Sequence, residues 1–318
     1  MKISRYKAVD IARAYGTIVA AIVIFVAFSI ASPDAFFTVT NIINISRQIS
    51  MLVIVALGAT LVMAVSEFDL SLGAQVSLGG VLAALLSVAG VPIILCFIIP
   101  IFVNFAIGFL NGWVVTKFRV LSFITTLAMG TVISGVTFRL TGGATVFENI
   151  PRSFSYLGAL DILGIPALSV IMVLLVILFW FIMRHTAFGR KLYAIGGNET
   201  ASSIAGLNVR FNKNMAFALC GALAAVTGIL MASRLGSAHP TGGDGFLLRA
   251  YAAVFLGSTL SKQGTPNMPG ALLGAAILGI LSNGLTILQV PTFVQDILTG
   301  CIIILAVIGQ KLGQGDGK

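Results

Sequence analysis

Long, uninterrupted apolar stretches are the feature that most restricts what this chain can fold into. Apolar residues make up 58% of its 318 residues and charged residues 9%, whereas soluble domains carry about 25% charged residues. A soluble enzyme is therefore excluded, and so is a disordered chain, which would be rich in charge. Only helices and closed barrels satisfy their backbone in a bilayer, and these stretches lack the period-2 alternation of a barrel. The sequence predicts an all-α polytopic membrane protein.

Ten apolar stretches, each near the length of a membrane-spanning helix, set the expected topology. A span takes about 20 residues, so we expect about ten transmembrane helices in one transmembrane domain, residues 1–318. The expected spans are residues 14–32, 48–65, 74–90, 92–116, 120–140, 165–183, 214–234, 249–262, 270–288 and 292–309. The longer connections are expected to be the outer loops 141–164 and 235–248 and the cytoplasmic segment 184–213.

Lys and Arg residues orient these spans. With the N-terminus inside, 14 of the 19 basic residues lie in inner segments, while five of the ten acidic residues lie on each side. Basic residues accumulate on the cytoplasmic side of membrane proteins, so both termini are expected in the cytoplasm. No basic stretch is dense or interleaved with aromatic residues, so nucleic acid is not an expected partner.

Side chains that carry chemistry are scarce in this sequence. It contains no G-x-x-x-x-G-K-[ST] phosphate loop and no G-x-S-x-G nucleophile turn. His185 and His239 fall on opposite faces of the expected topology, so no metal site is expected. The three cysteines lie within spans, where a thiol behaves as a small apolar group. We expect no catalytic residue, metal or cofactor in this chain.

The pair Gly196-Gly197, in the cytoplasmic segment, is expected to interrupt the chain before a short helix near residues 198–206. Asn198 can cap that helix, Glu199 suits the positive end of its dipole, and Gly206 suits its C-terminal end. A helix that lies on lipid is the alternative, but such a helix needs bulky apolar side chains. The small residues that follow Glu199 suit close docking against a second protein instead.

This inner segment is one of several motifs that run along nearly the whole chain. It carries Gly-Gly-Asn-Glu-x-Ala at 196–201, followed by Gly206. The other motifs are Asn111-Gly112, Lys117-Phe118-Arg119, residues 123–127, Phe188-Gly189-Arg190, residues 234–246, residues 252–257 and Asn283-Gly284-Leu285. Together they resemble the ribose, galactose and xylose permeases of bacterial ATP-binding-cassette importers, in which the inner segment is the coupling loop.

The resemblance implies a permease subunit in the bacterial inner (cytoplasmic) membrane, paired with a second copy or a close paralogue. Two cytoplasmic ATP-binding subunits would hold ATP and Mg, and a periplasmic or extracellular binding protein would deliver a monosaccharide such as ribose. By the same resemblance, coupling to the ATPase is expected at Gly196, Gly197, Asn198, Glu199, Ala201 and Gly206.

A polar break near residues 66–73 separates the second and third expected spans. It contains Glu67 and Asp69, and an acid at a helix centre costs about 2.5–3.5 kcal/mol on insertion scales. In one interpretation Asp69 or Ser71 caps the third span while Gly73 admits close packing. In the other, a broken helix at membrane depth lines a water-filled path. The sequence leaves both open.

Departures from the family pattern occur at three places. The family usually has Gly-Ile where this chain has Glu67-Phe68, and Glu67 either changes what the path accepts or pairs with Arg119 or Lys117. Arg249 stands where the family has an acid, which puts a contact there in doubt. Residues 262–267 replace a Gly-rich run.

Polar residues in the break, inside the spans and in the outer loop supply the remaining candidates. Such residues either bind neighbouring helices together or line a path for sugar. The path candidates are Asp69, Ser71, Gln75, Asn111, Thr125, Thr126 and Asn283. The outer loop is either a connector or a contact for the binding protein. The contact candidates are His239, Thr241, Asp244 and Arg249.

Two further expectations concern packing and the energy source. Gly108-x-x-x-Gly112 and Gly270-x-x-x-Gly274 are predicted to be faces where helices approach closely. An ion-coupled secondary transporter of a small neutral solute is the alternative function, because Asp69 is an acid at membrane depth. An intramembrane enzyme fits least, because no nucleophile and base are visible as a pair.

Overall fold

The structure of the chain, a computed structural model, describes residues 2–261 and 264–314. It is helical throughout apart from one short antiparallel ribbon. The elements are α1 Lys2–Ala31, α2 Pro33–Phe36, α3 Val39–Ala64, α4 Leu72–Val88, α5 Ile93–Phe118, α6 Ser122–Thr141, α7 Arg152–Ala159, β1 Asp161–Ile162, β2 Ile165–Pro166, α8 Ala167–His185, α9 Ala187–Gly197, α10 Glu199–Ile204, α11 Val209–Leu235, α12 Asp244–Ser258, α13 Met268–Ile287 and α14 Thr292–Gln314.

Each expected span overlaps a helix. Within the described ranges, α3, α5, α6, α8, α11 and α13 are six helices long and apolar enough to cross a membrane, and shorter apolar helices occupy 18–31, 72–88 and 292–305. The prediction of an all-α membrane protein is therefore confirmed. The second span starts nine residues earlier than the predicted residue 48, because Thr38 caps α3 by accepting a hydrogen bond from the Asn41 N–H at 3.2 Å.

Two four-helix units, α3–α6 and α11–α14, pack in corresponding ways. Helix α4 packs on α5 and α6, and α12 packs on α13 and α14; α11 packs on α5, and α3 packs on α13. Helices α3 and α11 run antiparallel, because Gly58 faces Cys220 while Glu67, beyond the end of α3, meets Lys213. The units therefore have opposite orientations, the arrangement that many transporters use.

The first residues of α4 and α12 meet inside the bundle. A Cβ added to Gly73 would lie 2.9 Å from the carbonyl oxygen of Gly243, and the Gly243 N–H donates to Ser77 Oγ at 2.9 Å. The chain after α11 thus turns back into the bundle before α12 begins. This corrects the outer loop 235–248 and the eighth span 249–262: Asp244 and Arg249 lie on α12. The Gly-rich stretch runs on to Gly245, inside α12, and Asp244 provides an acid for the first helical turn.

Glycines let α11 lie close to its neighbours. An added Cβ would lie 2.2 Å from the Phe217 carbonyl oxygen at Gly108 and 2.6 Å from the Asn214 Cα at Gly112. The second predicted face behaves alike, since Gly270 packs on Gly257 and Gly274 packs on Ala253. Both close-approach predictions are confirmed, and backbone packing between small residues holds the bundle together.

The segment predicted as the outer loop 141–164 contains structure of its own. It includes α7 and β1, which pairs with β2, and Val146 forms a bridge with Ala238. Helix α7 is fixed to the end of α11, because Ser233 Oγ donates to the Phe154 carbonyl at 2.6 Å and accepts from the Gly158 N–H at 2.9 Å.

Candidate functional site

The polar break lies between α3 and α4 and is held by side chains from other helices. Non-helical backbone away from water needs partners for its N–H groups, and four consecutive groups have them. The N–H of Phe68 donates to Ser122 Oγ at 3.3 Å, that of Asp69 to Tyr251 Oη at 2.7 Å, that of Leu70 to Thr126 Oγ1 at 2.8 Å and that of Ser71 to Asp69 Oδ1 at 2.9 Å. Helices α6 and α12 therefore fix the conformation of the break.

A cluster of fully buried polar side chains, here called the polar cluster, consists of Asp69, Ser71, Gln75 and Asn111. The Asp69 carboxylate accepts hydrogen bonds from Ser71 Oγ and from Gln75 Nε2, the latter at 3.2 Å. Ser71 Oγ accepts from Gln75 Nε2 at 2.8 Å and from Asn111 Nδ2 at 3.0 Å. The cluster joins α4 and α5 to the break, and Thr126 reaches the adjacent backbone.

Two other path candidates lie apart from the polar cluster. Thr125 is half-buried and donates to the Leu121 carbonyl of its own helix at 3.1 Å. Asn283 exchanges two amide hydrogen bonds with Asn41, each 3.0 Å long, which join α13 to α3. Sequence reasoning missed Tyr251, whose hydroxyl contacts both the N–H and the carbonyl of Asp69. No motif around Tyr251 signals this contact.

The predicted coupling helix is present as α10, with the expected cap. Asn198 Oδ1 accepts from the Ala201 N–H at 2.8 Å, and Gly206, just beyond the helix, has a φ of +81°. Glu199 occupies the first turn. The expectation that Gly196 and Gly197 interrupt the chain is wrong, because both lie in the last turn of α9 and Asn198 makes the break.

Gly196 serves close packing instead of chain interruption. An added Cβ there would lie 2.1 Å from the Ala64 carbonyl oxygen at the end of α3. Ser66 Oγ also donates to the Gly196 carbonyl at 2.9 Å. One turn earlier on α9, Tyr193 donates to the Pro266 carbonyl at 2.8 Å, and burial raises the pKa of Tyr193 to about 12. Since the phenol stays protonated at neutral pH, it remains a donor there.

One lysine joins α10 to the polar break. Lys213 Nζ lies 2.6 Å from Glu67 Oε1 and 2.6 Å from Glu199 Oε2. We call these three residues the ion bridge. Pairing with Arg119 or Lys117, one of the two alternatives for Glu67, does not occur; Glu67 pairs with Lys213 instead, and the Lys117 ammonium lies over the Trp113 ring, 4.7 Å from its centroid. Antiparallel packing of α3 and α11 places Lys213 beside Glu67.

Two cavities flank Glu67. One, of about 780 Å³, lies between the end of α5, α10 and the start of α11, and its lining includes Arg119, Glu199 and Lys213. The other, of about 540 Å³, lies between the end of α3, α9 and α12, and its lining includes Phe68 and Phe255. The start of the break therefore separates two open spaces at the end of the bundle that carries α9 and α10.

The outer contact candidates divide between a turn and α12. His239 and Thr241 belong to the turn after α11, where the two side chains approach within 2.9 Å. Asp244 is exposed in the first turn of α12. Arg249 lies one turn further on, with its guanidinium 3.8 Å from the Asp296 carboxylate of α14. Only His239 and Thr241 thus remain outside helices.

A helical bundle with opposed four-helix units and helices that begin in its interior is the architecture of a multi-pass membrane transport protein. A family model described as "Branched-chain amino acid transport system / permease component" matches residues 41–307, and the chain belongs to this family. The chain is 39% identical over 297 residues to the ribose import permease protein RbsC of Escherichia coli (strain K12), covering 92% of each.

Other curated relatives carry related names. The chain is 38% identical over 281 residues to RbsC of Bacillus subtilis (strain 168), covering 88% of this chain and 87% of the relative. It is 32% identical over 301 residues to the D-allose transport system permease protein AlsC of Escherichia coli (strain K12), covering 94% and 91%. No solved structure gives a significant match. The resemblance to sugar importer permeases is confirmed.

Proposed function

We propose that this chain is the permease subunit of an ATP-binding-cassette importer and forms the membrane path for a monosaccharide, ribose or a related sugar. The observation that carries this proposal is the 39% identity to a ribose import permease over 92% of both chains. The capped coupling helix, which meets the bundle through Gly196 and Lys213, supports it from the structure. The sequence contains no phosphate loop, which supports placing ATP and Mg on partner subunits.

The proposed topology has ten spans in one domain and both termini in the cytoplasm of a bacterial inner membrane. Helices α1, α3–α6, α8 and α11–α14 supply the spans. Basic residues favour this orientation, because 14 of 19 then lie in inner segments. Helices α9 and α10, with Arg190, Lys191 and the ion bridge, lie at the cytoplasmic end.

The partners proposed are a second permease copy or close paralogue, two ATP-binding subunits and an extracytoplasmic sugar-binding protein. The ATP-binding subunits would dock on α10 through Gly196, Gly197, Asn198, Glu199, Ala201 and Gly206. Exposed small side chains around Ala201 allow a partner backbone to approach closely. The binding protein would meet the outer turn at His239 and Thr241, with Asp244 and Arg249 of α12 beside the mouth.

For the path, we propose a position next to the polar cluster, where helices α4 and α12 begin. Asp69, Ser71, Gln75, Asn111 and Thr126 fix this region, and amide and hydroxyl groups are the chemistry that a neutral sugar needs. Thr125 and Asn283 are proposed as more distant lining residues. Full burial of the cluster within one chain supports a role for it in shaping the path.

Co-purification tests this function directly. A tagged chain solubilised from its native membrane should recover ATP-binding subunits, and uptake of D-ribose, D-allose or D-xylose should stop when cellular ATP is depleted. Recovery of the chain alone, with uptake that persists without ATP, would refute the proposal. Uptake by the purified chain in liposomes under an ion gradient would favour an ion-coupled secondary transporter instead.

Glu199→Arg tests the coupling assignment within this function. The substitution places a cation against the positive end of α10 and beside Lys213, 2.6 Å from the original carboxylate. We expect ATP hydrolysis to continue while uptake falls, with the chain still inserted in the membrane. The measurement is uptake and ATPase activity of the same preparation. Arg190→Glu, a charge reversal of the same size on α9, is the control, and unchanged uptake in Glu199→Arg would remove the assignment.

A further inference from the structure

We propose that Lys213 is a positioning residue that transmits movement of α10 to the polar break by holding Glu199 and Glu67 at the same ammonium group. This inference rests on the proposed function and deepens it, because it names the residues through which the coupling helix acts. The two contacts are equally short, 2.6 Å each. Glu199 belongs to α10, Glu67 to the break and Lys213 to the second turn of α11.

The ion bridge differs from an ordinary surface ion pair in its burial. The Lys213 side chain is 7% exposed and that of Glu67 17%, whereas Glu199 is 58% exposed. Exposed pairs are weakened by water and salt, but an inner pair is screened much less. The contact between Lys213 and Glu67 is therefore the stronger half of the ion bridge. The contact with Glu199 is the half that a docking partner can reach.

A second contact joins the same two segments. Gly196, three residues before Glu199, lies against the end of α3, and its carbonyl accepts a hydrogen bond from Ser66 Oγ at 2.9 Å. Ser66 directly precedes Glu67. The end of α9 and the start of α10 are thus attached to residues 66–67 at two points. Such a double attachment transmits a rotation as well as a pull.

A displacement of Glu67 would act directly on helices inside the bundle. The next four residues are not helical, and the N–H groups of the first three donate to Ser122 and Thr126 of α6 and to Tyr251 of α12. Asp69, two residues from Glu67, anchors the polar cluster through Ser71. Packed elements of this kind have discrete arrangements and do not deform continuously. A displaced Glu67 therefore changes how α4, α6 and α12 meet.

The experiment uses the complex recovered with the tagged chain, reconstituted in liposomes with its binding protein. It measures the amount of sugar imported per ATP hydrolysed, with whichever of D-ribose, D-allose and D-xylose the unaltered complex imports. Glu67→Gln is the main variant, because it leaves Lys213 paired with Glu199 and leaves the exposed face of α10 unchanged. We expect recovery of the ATP-binding subunits and basal ATP hydrolysis to stay unchanged, while import per ATP falls at least about fivefold.

Substitutions at position 213 separate a positioning role from a merely structural one. Lys213→Met should reproduce the loss of import per ATP, and Lys213→Arg, which keeps the charge and can reach both acids, should restore it. Asp161→Asn is the matched control, because it removes the outer ion pair with Arg47, whose contact is 2.7 Å. Import per ATP should not change in that control.

Outcomes for the inference and for the proposed function differ. Import per ATP that is the same in Glu67→Gln, Lys213→Met and the unaltered complex would overturn the role of Lys213 while leaving the importer function intact. An unaltered chain that recovers no ATP-binding subunit would remove both. If Lys213→Met does not insert, Glu67→Gln decides the question, since it keeps one carboxylate at the ammonium group.

Discussion

Replacing Gly108 by Ala tests how tightly α11 is held at the centre of the bundle. The added Cβ would lie 2.2 Å from the Phe217 carbonyl oxygen and 2.8 Å from its carbonyl carbon. Real Cβ atoms keep at least 3.0 Å from such atoms, so α5 or α11 must move by about 0.8 Å. Because the obstacle is backbone, no side-chain rotation can relieve the contact.

The magnitude follows from two opposing effects. Overpacking a close-packed interior costs about 1–3 kcal/mol, while Gly→Ala within a helix gains up to about 1 kcal/mol of helix propensity. Gly135→Ala in α6 is the matched control, because an added Cβ there meets nothing within 4 Å. The control shares the propensity gain. The difference in free energy of unfolding between the two variants should therefore be about 1–3 kcal/mol.

Buried thiols provide the assay. Cys96 and Cys220 are buried and Cys301 is exposed, so a thiol-reactive fluorophore reports unfolding in a Cys301→Ser background. We expect Gly108→Ala to lower the thermal midpoint in detergent and Gly135→Ala to leave it unchanged or raise it. Equal midpoints for the two variants would refute the inference that backbone contact between α5 and α11 sets the packing of the bundle.

Further predictions concern the polar cluster and α10. Asp69→Ala leaves the buried Ser71 N–H without its acceptor, which costs about 1–3 kcal/mol, and removes one of the two acceptors of Gln75 Nε2. The thiol assay should show this loss of stability, while the stability of Thr125→Ala should stay within about 0.5 kcal/mol of that of the unaltered chain. Similar losses of stability in both variants would contradict the role of the cluster. Asn198→Ala removes the α10 cap, so hydrogen exchange in α10 should rise about fivefold for a loss of about 1 kcal/mol. Asn198→Ser keeps a cap oxygen and should not raise it, and equal exchange in all three forms would argue against the cap.

Helix boundaries were predicted correctly where neighbouring residues in the sequence set them, and wrongly where packing against distant residues set them. Asn198 and Gly206 lie at the two ends of α10 as predicted, because a cap acts on atoms within three residues of itself. Gly196 was assigned a local role and has a distant one, against Ala64. Asp244 was placed in a loop because Gly-rich sequence favours turns. Packing of Gly73 against Gly243 instead starts a helix inside the bundle.

The candidate site divides in the same way. Sequence reasoning selected Asp69 and Ser71 from the polar break and Gln75 and Asn111 as polar residues within apolar spans, and the structure brings all four together. Sequence reasoning did not predict which side chain binds the backbone of the break, because Tyr251 lies 182 positions from Asp69 along the chain. Contacts over such separations depend on how helices pack and not on local propensity.

By itself the sequence determined a helical membrane protein, the approximate positions of its spans, the capped helix α10 and the small-residue faces at Gly108 and Gly270. These follow from apolar length, local hydrogen bonds and the size of side chains, which are properties of short segments. Only the tertiary structure decided that Lys213 joins Glu67 to Glu199, since Glu67 and Lys213 are 146 residues apart. Their distance is set by the antiparallel packing of α3 and α11, and a few ångströms of displacement would leave the carboxylates without the ammonium group.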